Sequence, residues 1–417
     1  MVYLLLLLLT SFVLMSALTS AALKPVTEQK IAILGGGIHG ASIAYYLSQM
    51  GCKPVIIEKT SIAAAASGKA GGFLARNWGR GKALNAMHTK SFDLHAELAN
   101  ELSLESYRPV KVLSVNGNRK GNTDASWLDG RATSSVMESN PMLPLRADAA
   151  QVTPLELTTK LVDAAITRGT EVIIDSVDGV MIEDNEVKGI HLRSKTDGPL
   201  LVDKVVVAMG PWSSPFVEDN FEVPLPMEGI KSTSIVYSDL KEVKQDPWAC
   251  FCDEDENSCH LELYPRPNGD LYICGCGGSD YVRGDRLREG GDCDSADKIR
   301  ADPKRVAAAS TSFKTMTSLG NNPPSIEQAC MRPCANDGLP VMGEIPGYSN
   351  AYVSTAHNCW GILWAPVSGL LMAELLVNGK TSTVDISSFS IARFSKQGYK
   401  VEKRGKKVKG NPIGEQW

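Results

Sequence analysis

The chain carries no surplus of positive charge: 43 lysines and arginines face 47 aspartates and glutamates, a formal net charge of -4. That balance removes the electrostatic ground for a nucleic-acid partner. There is no internal repeat and no long low-complexity segment, so a solenoid or a disordered linker protein is excluded. The first three residues contain no lysine or arginine, and the apolar run over residues 4–15 falls short of the roughly 20 residues a membrane-spanning helix needs. Small residues follow, with Ser20 and Ala22 at the spacing for cleavage before Leu23. Residues 1–22 therefore read as a signal peptide leading to the secretory route, or to an endomembrane or organelle. An uncleaved membrane anchor and the first half of a bipartite organelle signal are the alternatives.

Metal-binding spacing is also missing where cysteines cluster. Of the ten cysteines, those over 250–276 contain two C-x-C pairs, whose neighbouring side chains on a strand point to opposite faces. Zinc sites space their pairs by two to four residues. No metal is expected, and the thiols read as buried or incidental. At 417 residues, 43% hydrophobic and 22% charged, the chain has the composition of a globular protein with two or three domains. Those domains are large enough not to need a disulfide framework.

What is present begins at residue 31. The apolar "IAIL" runs into Gly35-x-Gly37-x-x-Gly40, and a helical pattern follows, closed by Gly51. Gly35 permits a tight turn, Gly37 lets backbone approach a pyrophosphate, and Gly40 lets helix and strand pack closely. The helix N-terminus then offers unpaired N–H groups and a positive dipole end, beside Ile38 and His39. A second strand, "KPVIIE", ends at Glu58, about 20 residues beyond the last glycine, where a carboxylate holds ribose hydroxyls and repels a 2′-phosphate. Lys59 follows it. This is a dinucleotide cradle in an α/β fold.

The segment "SIAAAASGKAGGFLARNW" (61–78) is dominated by small residues, among them Ser67, Gly68, Gly71 and Gly72. Backbone there can lie against a large flat ligand. A flexible linker is the plainer alternative. Residues 171–212 read as a meander of short strands with turns at Asp178-Gly179, Asp184-Asn185 and Asp197-Gly198. It ends in the buried strand "KVVVAMG", stopped at Gly210-Pro211.

With "ASGKAGG", "VVVAMGPWS", "MRPCANDGLPVMG" and "AHNCWGILWAPVSG" beside the glycine fingerprint, the chain resembles the FAD-dependent amine oxidoreductases of the D-amino-acid oxidase, glycine oxidase and sarcosine oxidase family, in a less characterised branch. The resemblance covers most of residues 30–380. It implies a discontinuous Rossmann-type FAD-binding domain (28–90, 150–215, 325–385) and a mixed-sheet α+β substrate domain (91–149, 216–324). The crossings fall at the proline-rich "PLPM" and "NNPPS". A basic tail, 386–417, reads as a solvated end rather than a membrane patch.

The same resemblance implies the site. Arg332 matches the arginine that grips a substrate carboxylate, for which a planar bidentate fork is suited; a surface ion pair is the alternative. Tyr264 is similar to a tyrosine lying over the substrate, with ordinary sheet packing as the alternative. Arg266, two residues on, is expected on the same strand face. His357 falls where the family often has Gly-His beside the flavin, although Ala356 stands here in place of the glycine. It would polarise the flavin or tune oxygen reactivity; a satisfied core histidine is the alternative. Gly361, Ile362 and Leu363 would offer backbone N–H groups to the flavin's carbonyl edge. Val177 and Gly210 are counted with the cofactor's surroundings. Cys330 opens a "CM" motif that in sarcosine oxidases forms a thioether to flavin, so covalent attachment is one of two expectations.

The expected function is oxidation of a C–N bond in an amino acid or secondary amine. Hydride would pass to flavin N5, the imine would hydrolyse, and oxygen or another acceptor would take the electrons. Two alternatives stay open, because fold does not dictate function. One is a dehydrogenase of 2-hydroxy acids passing electrons to a quinone or protein. The other is a flavin-binding assembly or scaffold protein with little turnover. Oligomeric state is not legible in the sequence.

Overall fold

The computed structural model describes residues 25–400 apart from 80, 138–147, 397 and 399. The 1–22 signal reading and most of the basic tail lie outside those residues. In chain order the elements that build the site are β1 (Ile31–Leu34), α1 (Ile38–Gln49), β2 (Val55–Glu58) and α2 (Gly81–Glu101). Next come β3 (Lys111–Asn116), β4 (Glu171–Ile174), β5 (Val177–Glu183), β6 (Glu186–Leu192) and β7 (Lys204–Val207). They are followed by β8 (Met227–Tyr237), β9 (Trp248–Cys252), β10 (Glu262–Pro265) and β11 (Leu271–Cys274). Last are β12 (Ile326–Ala335), β13 (Val341–Glu344), β14 (Ala351–Thr355) and α3 (Gly361–Asn378).

A six-stranded sheet runs β13-β14-β7-β1-β2-β4. It is parallel except where β13 turns back on β14. Its central strands are buried on both faces, which is why "IAIL", "VIIE" and "KVVV" are almost continuously apolar. One face packs on α1, α2 and α3 through Ile43, Leu47, Leu98 and Leu371. The other is covered by the β5–β6 meander through Val187 and Ile190. In the meander, Asp184 (φ 50°) and Asn185 (φ 61°) both take left-handed backbone at the tip of the β5–β6 hairpin, the geometry a two-residue hairpin turn demands. Asp178-Gly179, expected as a turn, lies inside β5 instead. There Gly179 pairs with His191 beside an irregularity in register, so the glycine accommodates a bulge rather than a reversal.

The second layer is an eight-stranded sheet in which β8, β11, β10, β9 and β3 are successive neighbours. Strand β12, expected among the FAD-domain pieces, pairs antiparallel with β8 along its length, Met227 against Ala335 through Val236 against Ile326. It therefore belongs to the substrate-side sheet and returns the chain from that layer to the six-stranded one. Likewise α2 runs past residue 90 to Glu101, because Phe92, Leu94 and Leu98 bury in the nucleotide-side core.

Among the described residues one segment, Asn358–Asn378, is long and apolar enough to cross a membrane. It contains α3, the core helix against α1. The crossing is close: a Cβ added to Gly369 would stand 2.5 Å from Ser42 Cβ and 2.6 Å from its carbonyl carbon. Gly369→Ala should therefore destabilise the fold by about 1–3 kcal/mol, the usual cost of overpacking. Gly379→Ala, at φ +70° with nothing within 4 Å, pays only the left-handed backbone cost of about 1–2 kcal/mol. Urea titrations check this: Gly369→Ala lowers the midpoint with unchanged slope, while the variant's far-UV spectrum stays native.

Candidate functional site

The cradle is set by backbone approaches that only glycine allows. Gly35 takes φ +112°, and a Cβ there would lie 2.5 Å from Ala208 O; one on Gly40 would lie 2.0 Å from Gly35 O. Glu58 ties the turn down: the Gly36 N–H donates to its Oε2 at 2.8 Å and the Thr60 N–H to its Oε1 at 3.0 Å. At the start of α1 the Ile38 N–H donates to Ser67 Oγ at 2.9 Å, joining the small-residue segment to the glycine turn. Within that segment a Cβ on Gly71 would meet the Tyr264 ring at 2.5 Å, and one on Gly72 would meet Val152 O at 1.8 Å. The small residues are thus a close-packed wall, not a linker.

These elements enclose one cavity of about 1120 Å³ between the two sheets. Gly35, Gly37, Glu58, Lys59 and Ser67 line one part of it, with Val177 and Gly210 alongside. Gly71, Gly72, Cys330, Gly361 and Ile362 line the middle, and Arg332, Tyr264, His39 and His357 share the same walls. Three residues expected at the cofactor stand off the lining. Gly40 packs on Gly35 and Gly68 on Ala63 O, 2.3 Å from the position of an added Cβ. Leu363 is a core side chain, and its carbonyl and that of Ile362 each lie 3.1 Å from His95 Nε2. Arg266, expected on the face of Tyr264, follows the end of β10; its guanidinium lies 5.5 Å over the Tyr272 ring and its Nη2 donates to Ala70 O at 3.4 Å.

The residues present fit a dinucleotide with a polar, flat head. The N-termini of α1 and α3 both open on the cavity, presenting two positive dipole ends. His39 Nδ1, His357 Nδ1 and Asn358 Oδ1 are buried on its wall with no hydrogen-bond partner among the described residues, atoms that a bound group with hydrogen-bonding edges would satisfy. The two imidazoles stack, ring centroids 3.6 Å apart and 19° from parallel. Burial drives the His39 pKa down to about 3, with the adjoining Gly361 backbone pulling the other way. Burial, then the neighbouring His39, holds His357 well below the usual histidine range. Its Nε2 lies 3.1 Å from Ser368 Oγ. Ala356 (φ 62°) and Asn358 (φ 49°) flank it in left-handed backbone, so the alanine in the family's glycine position is strained.

Cys330 lies beside Arg332 on β12. Burial pushes its thiol up, while Arg332 and Lys69 pull the other way. Among the described residues no disulfide joins any of the ten cysteines, and no group of three His, Cys, Asp or Glu is arranged to hold a metal.

Around Tyr264 the wall is aromatic. Its ring stacks on Phe73 at 5.4 Å, and Phe73 meets Phe251 at 5.1 Å and Trp78 at 5.4 Å. Burial raises the Tyr264 hydroxyl well above its usual value, with Glu262 adding to the effect. That hydroxyl donates to Glu262 Oε2, to which the Cys274 thiol also donates at 3.4 Å. Glu262, Phe251 and Trp78 were missed in the sequence reading. The signal for Glu262 was there: it stands two residues before Tyr264, hence on the same strand face.

The profile of the DAO family, described as FAD dependent oxidoreductase, matches residues 30–375. A Schizosaccharomyces pombe protein named as an oxidoreductase is 26% identical, over 86% of this chain and 97% of its own. The glycine oxidase of Pseudomonas aeruginosa is 23% identical, over 88% and 99%. Among solved structures, L-proline dehydrogenase from P. horikoshii superposes with a TM-score of 0.70 at 19% identity, covering 90% of this chain and 99% of that one. The chain belongs to the DAO family of FAD-dependent oxidoreductases.

The buried histidines set a pH dependence. His95 is lowered to about 4 by burial, against hydrogen bonds to the Ile362 and Leu363 carbonyls, and His39 to about 3. The unfolded chain takes up protons below about 6.5 while the folded one does not, so stability falls as pH drops from 6.5 toward 4. Each such histidine contributes about 1.4 kcal/mol per pH unit in that window. Urea midpoints of the protein should be flat from pH 7 to 8 and clearly lower at pH 5. A midpoint at pH 5 equal to that at pH 7 contradicts the neutral, buried rings.

Proposed function

We propose that this oxidoreductase oxidises the C–N bond of an amino acid or secondary amine, with oxygen as the terminal acceptor. One observation carries the reading: Arg332 lines the same cavity as the dinucleotide cradle, together with a buried tyrosine and an aromatic wall. Bound FAD supplies the acceptor for the hydride that leaves the nitrogen-bearing carbon. The glycine turn, Glu58, the Ser67 segment and the N-terminus of α3 would hold it.

The chain's own groups do the rest. The Arg332 guanidinium offers a fixed fork to a substrate carboxylate. The Tyr264 hydroxyl keeps its proton, because burial and Glu262 both disfavour the phenolate, and donates it to Glu262, which leaves its oxygen to accept a hydrogen bond from the substrate. Phe73, Phe251 and Trp78 exclude water from the reacting carbon, and His39 and His357 add no positive charge beside the cofactor. Released imine is hydrolysed to the carbonyl compound. Relatives and structural neighbours named glycine oxidase, L-proline dehydrogenase and L-amino acid deaminase act on amino acids, which supports this substrate class. Burial keeps the Cys330 sulfur as thiol rather than nucleophilic thiolate, which favours noncovalent FAD.

Anaerobic mixing of the yellow holoenzyme with D- and L-amino acids, glycine, sarcosine, proline and 2-hydroxy acids tests the reaction. At least one amine class should bleach the flavin, and bleaching by hydroxy acids alone would overturn the proposal. Arg332→Ala should lower kcat/KM for a carboxylate-bearing substrate about 10- to 150-fold, the loss of a charge-assisted contact of about 1.5–3 kcal/mol. Acid precipitation should leave the protein pellet colourless.

A further inference from the structure

Helix α2 buries a polar stripe against α3. His88, Ser91 and His95 follow one another at helical spacing on one face of α2, and none is more than 1% exposed. Their neighbours in that core are apolar side chains. All three meet α3. Trp364 Nε1 donates to His88 Nδ1 at 3.1 Å, and the Val367 N–H donates to Ser91 Oγ at 3.2 Å. His95 Nε2 lies 3.1 Å from the Ile362 carbonyl oxygen and 3.1 Å from that of Leu363. A buried polar stripe is costly unless it satisfies something, and α3 contains what needs satisfying.

Pro366 stands inside α3. It has no N–H, so the helical bond from residue 366 to the Ile362 carbonyl cannot form, and the ring crowds that carbonyl. His95 stands at the gap. Its Nε2 faces two carbonyl oxygens, which only accept, so the proton is assigned to Nε2. Burial draws its pKa down to about 4, which keeps the ring neutral, and Nδ1 is buried without a hydrogen-bond partner among the described residues. The ring therefore spends its one proton on the carbonyls that the proline disturbs. Those carbonyls belong to the first turn of α3, the turn through which Gly361 and Ile362 line the cavity. The peptide between Ile362 and Leu363 receives the His95 proton on its oxygen, which polarises its N–H in turn.

We propose that His95 is a positioning residue for the cofactor: by bonding the Ile362 and Leu363 carbonyls it replaces the helix bond that Pro366 removes, and so fixes the turn of α3 that faces FAD. It acts through α3 and is not itself part of the cavity wall. Without it the first turn is cut off from the helix behind it, and the positive end of α3 is both less ordered and weaker. Reduced FAD carries the added negative charge, so it loses more than oxidised FAD does. The role concerns the cofactor and holds whichever substrate the enzyme takes.

His95→Gln and His95→Asn form a matched pair, since the glutamine amide nitrogen reaches the place of Nε2 and that of asparagine falls at Nδ1. The readouts are the FAD dissociation constant and the flavin midpoint potential of the full chain. His95→Asn should weaken binding of oxidised FAD about tenfold, the loss of one ordinary hydrogen bond. Reduced FAD should lose about tenfold more, which lowers the midpoint by about 30 mV for a two-electron couple. His95→Gln should stay close to wild type in both. Pro366→Ala gives an N–H back to the Ile362 carbonyl, so in that background both losses caused by His95→Asn should shrink by about half or more on a free-energy scale. A His95→Asn protein that is less stable in urea yet keeps both quantities overturns the proposal. So do equal losses in the Gln and Asn variants, losses of the same size with and without Pro366→Ala, or an Asn variant that fails to fold in both backgrounds.

Discussion

The close crossing of α1 and α3 at Ser42 and Gly369 is the contact on which the site depends. Both helices point their N-termini at the cavity, and their registry at the crossing decides how far apart those ends stand. At this spacing His39, one residue into α1, stacks on His357, just before α3. The two dipole ends are therefore held as a rigid pair, one at the glycine turn and one at Gly361. A side chain at position 369 would push the helices apart and separate the ends that must act on one ligand together.

The stacked histidines follow from that closeness. Two imidazoles 3.6 Å apart inside a dry wall cannot both be cationic, and burial keeps each neutral. Positive potential toward the cofactor then comes from fixed helix ends and not from titrating side chains. The left-handed turns at Ala356 and Asn358 are the local cost of aiming His357 and the start of α3 into the same space. They persist because the surrounding packing over-determines them: Ala356 is completely buried, in the core on the far face of the six-stranded sheet.

The nucleotide half of the site was legible in the sequence because its information is local. Strand, glycines, helix, strand and Glu58 lie within one βαβ unit, and each glycine has a steric reason visible in its spacing. Asp178-Gly179 misled because a turn dipeptide and a bulge dipeptide look alike in one strand, and only the partner His191 tells them apart. Strand β12 was placed in the wrong layer for a related reason: its ten-residue pairing with β8 joins segments about 100 residues apart, and no local pattern reports it. His39 was counted with the cofactor's surroundings at the helix N-terminus, but its stacking on His357 was not foreseen, since that depends on a residue more than 300 positions away.

The substrate half is written differently. Glu262, Tyr264, Tyr272, Cys274 and Phe251 come from three adjacent strands, and each reaches the cavity only because the pleat alternates and the register holds. A one-residue slip would exchange the whole set for the opposite face, which is packed core: Leu263, Ile273 and Cys250. The core face therefore pins the register, and evolution can change the cavity-facing residues without touching it. That separation explains how relatives of this chain keep one cofactor cradle while differing in substrate. On the short strands β9 to β11, a buried acid among aromatic rings is the least ordinary feature of an otherwise apolar wall.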